Sequence, residues 1–292
     1  MTRGASPPWE FEAIGTRWQV QTPHVLGPDV RTAVRGIVED FDRAWSRFRA
    51  DSLVTALARG TGAVPLPRDG ASMLDLYTAL SAATSGAVNP LVGGPLARRG
   101  YDPAYGLVDT GAEAAPADWA DRLAWDAGRL TLTAPAVIDV GALGKGRLVD
   151  LVAAAVNGPV VVDGGGDLIV RGMTQRIALE HPYDPSRAIG VWEVKDAALC
   201  ASAVNRRAWG DGLHHVLDAR TGEPVRTIAA TWAVAATTMV ADAAATALFF
   251  DGGPAFAAAH HVSWVRMMTD GRVEWSPGCR ADLFLGADSV ES

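Results

Sequence analysis

From Ile228 to Phe250 the chain carries one charged side chain, Asp242, among residues that are otherwise apolar or threonine. Such a stretch has to leave water, either across a bilayer or inside a globular core. Its pattern divides it in two: AATWAVAA reads as a buried strand and MVADAAATALFF as a helix, with the break at Thr237 and Thr238. An aspartate in the middle of a true membrane span would itself demand a function. The expectation is therefore a strand and a helix in a globular interior. With 292 residues, 49% of them hydrophobic and 20% charged, the chain can bury one large domain or two smaller ones.

The net charge of -7 leaves no basic field for nucleic acid or an anionic membrane, so a phosphate-bearing ligand must be met locally. Cys200 and Cys279 match no zinc or redox spacing and read as two core thiols. The opening MTRGASPPWEF has one basic residue, two prolines and no apolar run. It reads as neither a secretory signal nor a lipoprotein anchor, and the expected location is the cytoplasm.

Val30, Val34, Ile37, Phe41, Trp45 and Phe48 recur at helical spacing and predict a helix from Pro28 to Phe48. Met73, Leu76, Tyr77 and Leu80 predict a second that ends near Gly86, and a third is expected from about Gly146 to Asn157. Between them lie β-like runs: TRWQVQT, GPVVVDGGG, DLIVRG, RIALEH, AIGVWEV and HHVLD. The alternation lacks the regular rhythm of a parallel doubly wound sheet. The fold class read from it is α+β, with mixed or antiparallel sheets and packed helices. Residues 1–292 are taken as one functional unit with room for two lobes. TGAEAAPAD, Thr110 to Asp118, is the best linker candidate and reads equally well as a surface loop.

Four clusters carry candidate chemistry. DVGALGKGRLVD, from Asp139 to Asp150, places glycines and Lys145 between a β-like run and a helix, where backbone amides attract phosphate; a plain glycine turn is the alternative. It is not a Walker A loop. In VVDGGGDLIVRG, Asp163 and Asp167 flank three glycines, which a tight hairpin would also explain. LHHVLDARTGEPV holds His214, His215 and Asp218; on an extended strand the two histidines point to opposite faces, so one at most serves a given site. Asp242 and Thr246, four apart on one helix face among alanines, offer the hard oxygen ligands that Mg²⁺ takes. A back-bonded threonine and a hydrogen-bonded aspartate are the structural alternative.

In this order the clusters resemble the ApbE-type FAD:protein FMN transferases, whose members carry a DxGxxAKG-like loop, a glycine-glycine-acid turn, HxIDPxTG and an ADAxxTA helix. Here these stand as DVGALGKG, GGGD, HVLDARTG and ADAAATA; upstream, AIGT, SRFRADS and SGAVNPLVGGPL are similar to the family's early motifs. The resemblance runs from about Ala13 to Phe250 and implies an ApbE-like, T-fold-like architecture. It implies FAD contacts at Ile14, Phe48, Ala87, Val88, Asn89, Asp139, Lys145, Gly165, Gly166 and Val216. It implies Mg²⁺ on Asp242, Thr246 and the carbonyl of Ala142, with His215 as the base. The sequence departs from the family pattern at Ile14, Phe48, Asn89, Gly144 and Ala219.

The reaction so implied takes FAD as substrate and Mg²⁺ as cofactor. A Thr or Ser hydroxyl of a partner protein attacks the FMN phosphorus, AMP leaves, and His215, with a pKa suited to working pH, takes the proton. The rival readings are an FAD pyrophosphatase, in which water replaces the hydroxyl, and a non-catalytic FAD carrier. The carrier needs neither the metal ligands nor the base.

Overall fold

The computed structural model describes residues 7–126, 128–284 and 290–291. The chain opens with a hairpin, β1 (Trp9–Ala13) and β2 (Thr16–Gln21), closed by Ile14 and Gly15. Helix α1 (Pro28–Trp45) starts with proline in its first turn and buries Val34, Phe41, Ala44 and Trp45. It stops three residues short of the expected Phe48: Ser46 is extended, and Phe48 leaves the helix axis. Helix α2 (Leu53–Ala58) follows, its first turn capped by the Ser52 hydroxyl, and then β3 (Gly62–Pro65).

Helix α3 (Gly70–Ala83) buries Met73, Leu74, Leu76, Tyr77 and Leu80, the predicted stripe. The amide of Gly86 closes it by donating to the Ser81 carbonyl at 2.8 Å. Two short helices, α4 (Gly93–Arg98) and α5 (Trp119–Arg122), lead to β4 (Leu123–Asp126) and β5 (Arg129–Leu132), which form a small antiparallel sheet with β3. The segment between α4 and α5, read as a linker or a loop, is tied down: the Ala115 amide donates to Ala219, and Asn89 Nδ2 donates to the Pro116 carbonyl at 2.9 Å.

Helix α6 (Gly144–Ala154) lies two residues upstream of its expected start and feeds β6 (Val160–Asp163). DLIVRG and RIALEH, read as two runs, are one strand, β7 (Asp167–His181), and AIGVWEV lies inside β8 (Asp184–Ala203). Their long ladder shifts register between Val170 and Thr174, where a bulge lets the strand bend. Two small ladders come next: β9 (Ala208–Trp209) with β10 (Leu213–His214), and β11 (Leu217–Asp218) with β12 (Glu223–Pro224). HHVLD is therefore not a continuous strand, because it breaks at His215 and Val216.

The apolar stretch becomes strand β13 (Ile228–Ala235) and helix α7 (Thr238–Ala247), with the Thr237 hydroxyl as N-cap. No helix among the described residues is long and apolar enough to cross a membrane. Helix α8 (Gly253–Ala259), β14 (Ser263–Met268), β15 (Val273–Trp275), β16 (Asp282–Leu283) and β17 (Val290–Glu291) complete the chain. Among the described residues the main sheet has ten strands in the order β1-β2-β6-β7-β8-β13-β14-β15-β17, with β16 on β8; its pairs there are antiparallel except β15 with β17. The α+β expectation holds.

Alternation along the strands separates two apolar clusters. Val160, Val162, Ala198, Cys200, Ala233 and Ala235 join the helices on one face, whereas Leu168, Val170, Leu199, Ala230, Trp232 and Val265 form a second cluster on the other. Cys200 is buried and Cys279 partly so, and neither is in a disulfide among the described residues.

Candidate active site

Helices α6 and α7 cross at Gly146. A Cβ there would run into the Thr238 carbonyl and sit 2.7 Å from the Asp242 Cβ, so glycine is what lets the two backbones meet. Asp150 joins the same helices from the other end, accepting from the amides of Thr238 and Met239 at 2.8 and 3.0 Å and so capping α7. Asp242 Oδ2 accepts from the Gly146 amide at 2.9 Å, and the Thr246 hydroxyl lies 3.3 Å from the Ala142 carbonyl. The crossing thus gathers carboxylate, hydroxyl and carbonyl oxygens that the sequence leaves 104 residues apart.

Asp242 is buried. Burial, and then the charge of Asp167, push its pKa up to about 8, against the opposing pull of Lys145. Asp167 has no exposed surface, and its carboxylate contacts the Lys145 ammonium. Burial alone would lower the Lys145 pKa, but the carboxylates of Asp167 and Asp242 hold it above its ordinary value. Two buried carboxylates thus share one ammonium, and a hard cation at the Asp242, Thr246 and Ala142 oxygens would balance them. The residues fit Mg²⁺. No group of three or more His, Cys, Asp or Glu side chains stands ready for a metal among the described residues, because two of these three donors are a hydroxyl and a backbone carbonyl.

The Asp139–Gly146 loop is braced from behind. Arg47, buried, donates through Nε to Asp139 Oδ2 at 2.6 Å and through Nη1 to the Tyr101 carbonyl at 2.8 Å. Asp139 Oδ1 takes the Gly141 amide at 2.7 Å. The Tyr77 hydroxyl donates to the Asp139 carbonyl and accepts from the Ala142 amide; burial and the nearby Asp139 and Asp242 hold its pKa well above the ordinary phenol value. In the GGGD turn the Asp163 carboxylate accepts from the amides of Gly165 and Gly166 at 2.8 and 2.9 Å, and Gly165 has φ +77 with a Cβ direction blocked by Thr16.

The histidines differ. His214 is buried, its Nδ1 accepts from the Val216 amide and its Nε2 therefore donates to the Val225 carbonyl at 2.8 Å. His215 is half-buried, and its pKa is pushed down to about 3 by burial and then by the charges of Arg207, His214 and Lys145. It is thus held neutral, well below the working pH at which a base was expected to titrate. Its Nδ1 is buried without a hydrogen bond.

One cavity of about 1120 Å³ is lined by the residues to which the resemblance gave flavin, metal or base roles, Ile14, Phe48, Ala87, Val88, Asn89, Asp139, Ala142, Lys145, Gly165, Gly166, His215, Val216, Asp242 and Thr246, while Asp167 and Asp218 lie outside its wall. His214 is not in its wall. The volume exceeds the ~300–1,000 Å³ usual for drug-sized ligands. Several residues reach the wall in an unexpected way. Lys145 faces Asp167, and the Asn89 side chain is spent on Pro116 and on the Leu91 amide. Ile14 holds a left-handed φ of +44, strained for a β-branched residue. Sequence reasoning gave no part in the site to Arg47, Tyr77 or Arg207, and named Asp167 only as a flank of the glycine turn. Asp167 was visible at the end of GGGD and Arg47 within SRFRADS, but their partners lie far along the chain.

The geometry agrees with what comparison finds. The sequence model of the ApbE family matches residues 14–265. A curated FAD:protein FMN transferase of Rhodobacter capsulatus is 28% identical over 306 aligned positions, which take in 94% of this chain. The chain spans 57% of that relative's length. In fold, it is similar to the flavin transferase ApbE of Vibrio cholerae, with TM-score 0.75 and 21% identity over 92% of this chain and 96% of the other. The ApbE protein of Thermotoga maritima gives TM-score 0.81 and 20% identity over 93% and 97%. With the family's sequence model spanning the chain from Ile14 to Val265 and the motif residues gathered around one cavity, this protein belongs to the ApbE family.

Proposed function

We propose that the protein is a Mg²⁺-dependent FAD:protein FMN transferase that places FMN, through a phosphoester, on a Thr or Ser hydroxyl of a partner protein and releases AMP. The observation that carries this reading is the meeting of Asp242, Thr246 and the Ala142 carbonyl in the wall that also holds His215. Residues 1–292 are read as one functional unit.

Asp242, Thr246 and Ala142 would hold Mg²⁺, which when bound would offset the negative charge of the pyrophosphate oxygens. The amides of Gly141, Ala142, Gly146, Gly165 and Gly166 are bonded within the protein, so the Asp139–Gly146 loop and the glycine turn act as a rigid wall that keeps the FMN phosphate in line. His215 stays neutral in the free protein and is ready to accept a proton. A doubly charged pyrophosphate brought beside it counters the cations that depress its pKa and raises it toward the working range. The acceptor oxygen bonds to the FMN phosphorus, the bond to the AMP oxygen breaks with its electron pair, and the hydroxyl proton passes to His215. A carrier of FAD would need neither the metal ligands nor the base.

The test is incubation with FAD, Mg²⁺ and candidate acceptor proteins. AMP together with FMN covalently bound to an acceptor is expected. AMP with free FMN in the presence of every acceptor would make the protein a pyrophosphatase instead, and no AMP at all would sink the reading.

A further inference from the structure

Five cationic side chains line the cavity: Arg47, Arg49, Lys145, Arg206 and Arg207. Four are already paired. Arg47 holds Asp139, Arg49 holds Asp42, Glu39 and Asp51, Lys145 holds Asp167, and Arg206 holds Glu180. Arg207 has no ion pair and no side-chain hydrogen bond among the described residues. It is exposed, it lies at the end of the turn before β9, and its guanidinium carbon is 6.0 Å from the centre of the Tyr101 ring. It lines the same cavity as His215 and Asp242.

A phosphate entering this cavity meets carboxylates that have spent the neighbouring cations. Lys145, which the sequence offers as the phosphate ligand, cannot turn to an anion without leaving Asp167 buried and unpaired, a costly exchange. We propose that Arg207 is the side chain that grips the pyrophosphate of FAD, with its planar fork on the phosphate oxygens and the Tyr101 ring beneath it. The assignment rests on the flavin transferase reading. A free guanidinium needs no partner broken before it binds, and its fork matches a phosphate's paired oxygens. Lys145 then acts from behind, keeping Asp167 neutralised under the glycine turn.

The experiment compares equilibrium binding of FAD and of riboflavin, which has no phosphate, to the wild type, Arg207→Gln and Arg207→Lys. Metal-free buffer prevents turnover. Arg207→Gln should weaken FAD by about 10- to 100-fold, the value of one or two charge-assisted hydrogen bonds, and leave riboflavin unchanged; Arg207→Lys should recover part of the loss. Melting curves should match the wild type, since the side chain is exposed and unpaired. The assignment is overturned if Arg207→Gln binds FAD as the wild type does, or if it loses FAD and riboflavin equally. A wild type that binds neither flavin removes the flavin reading, and this assignment with it.

Discussion

The floor and the rim of the cavity are built by opposite means. The floor is the crossing of α6 and α7, where Ala241, Ala243, Ala244, Ala245 and Ala247 are fully buried and each charged group is locked to a partner. The rim consists of turns and two-residue ladders carrying Arg207, Tyr105, Leu107 and Ile14, exposed or held at left-handed φ. An ion needs fixed oxygens at fixed distances, and close-packed helices supply them. A dinucleotide and a stretch of polypeptide need a way in, and loops supply that.

The contrast can be broken most sharply at Asp242. Asp242→Asn keeps an acceptor for the Gly146 amide, so the variant should stay folded by circular dichroism while Mg²⁺-dependent AMP release falls to background. Full activity would remove the metal from the floor. His215→Ala should retain FAD binding and slow transfer by about 100- to 10,000-fold in single-turnover assays.

His214→Ala should instead keep its rate and lose about 1–3 kcal/mol of stability, because the Val225 carbonyl and the Val216 amide lose their partner. His214 also sets a pH dependence. Burial depresses its pKa below 6.5, so the unfolded chain binds the extra proton first. Stability should hold above 6.5, fall as the pH drops from there toward the depressed folded value, and fall less in His214→Gln. An equal slope in both proteins would contradict the assignment.

Smaller effects separate packing from chemistry. Gly146→Val forces side-chain atoms between the two helices and should cost about 1–3 kcal/mol by denaturant titration, with activity lost in proportion to the displaced Asp242. At the rim the sign reverses. Ile14→Asn, better suited to left-handed φ, should add about 1 kcal/mol of stability while weakening FAD binding. A variant that is both more stable and binds FAD as tightly would show that Ile14 is not strained for the ligand's sake.

The floor was legible in the sequence because its key pair is local: Asp242 and Thr246 are one helical turn apart, and the alanines around them announce close approach. The rim was not. HHVLD looks like a strand by composition, yet it breaks at His215 because two separate small ladders claim its ends. Its alternation argument therefore does not decide between the histidines; the hydrogen bonds of His214 do. The pairings Arg47 with Asp139 and Lys145 with Asp167 were invisible because spacing along the chain carries no sign of them. Lys145 was read as a phosphate ligand for that reason, and the burial of Asp242 against Gly146 was out of reach because the two lie 96 residues apart.

The reach of these contacts has a consequence for the order of events during synthesis. The β7–β8 ladder pairs neighbouring segments and can form as soon as both emerge. The Gly146 to Asp242 bond closes a span of 96 residues, and the Thr246 to Ala142 contact one of 104. At roughly 5–20 residues per second, neither can close until α7 has left the ribosome, well after most of the sheet's strands. The nascent chain therefore passes through a stage with a formed hairpin and no ligand site. A ligand of this cavity would therefore stabilise the finished protein and could not guide its early folding.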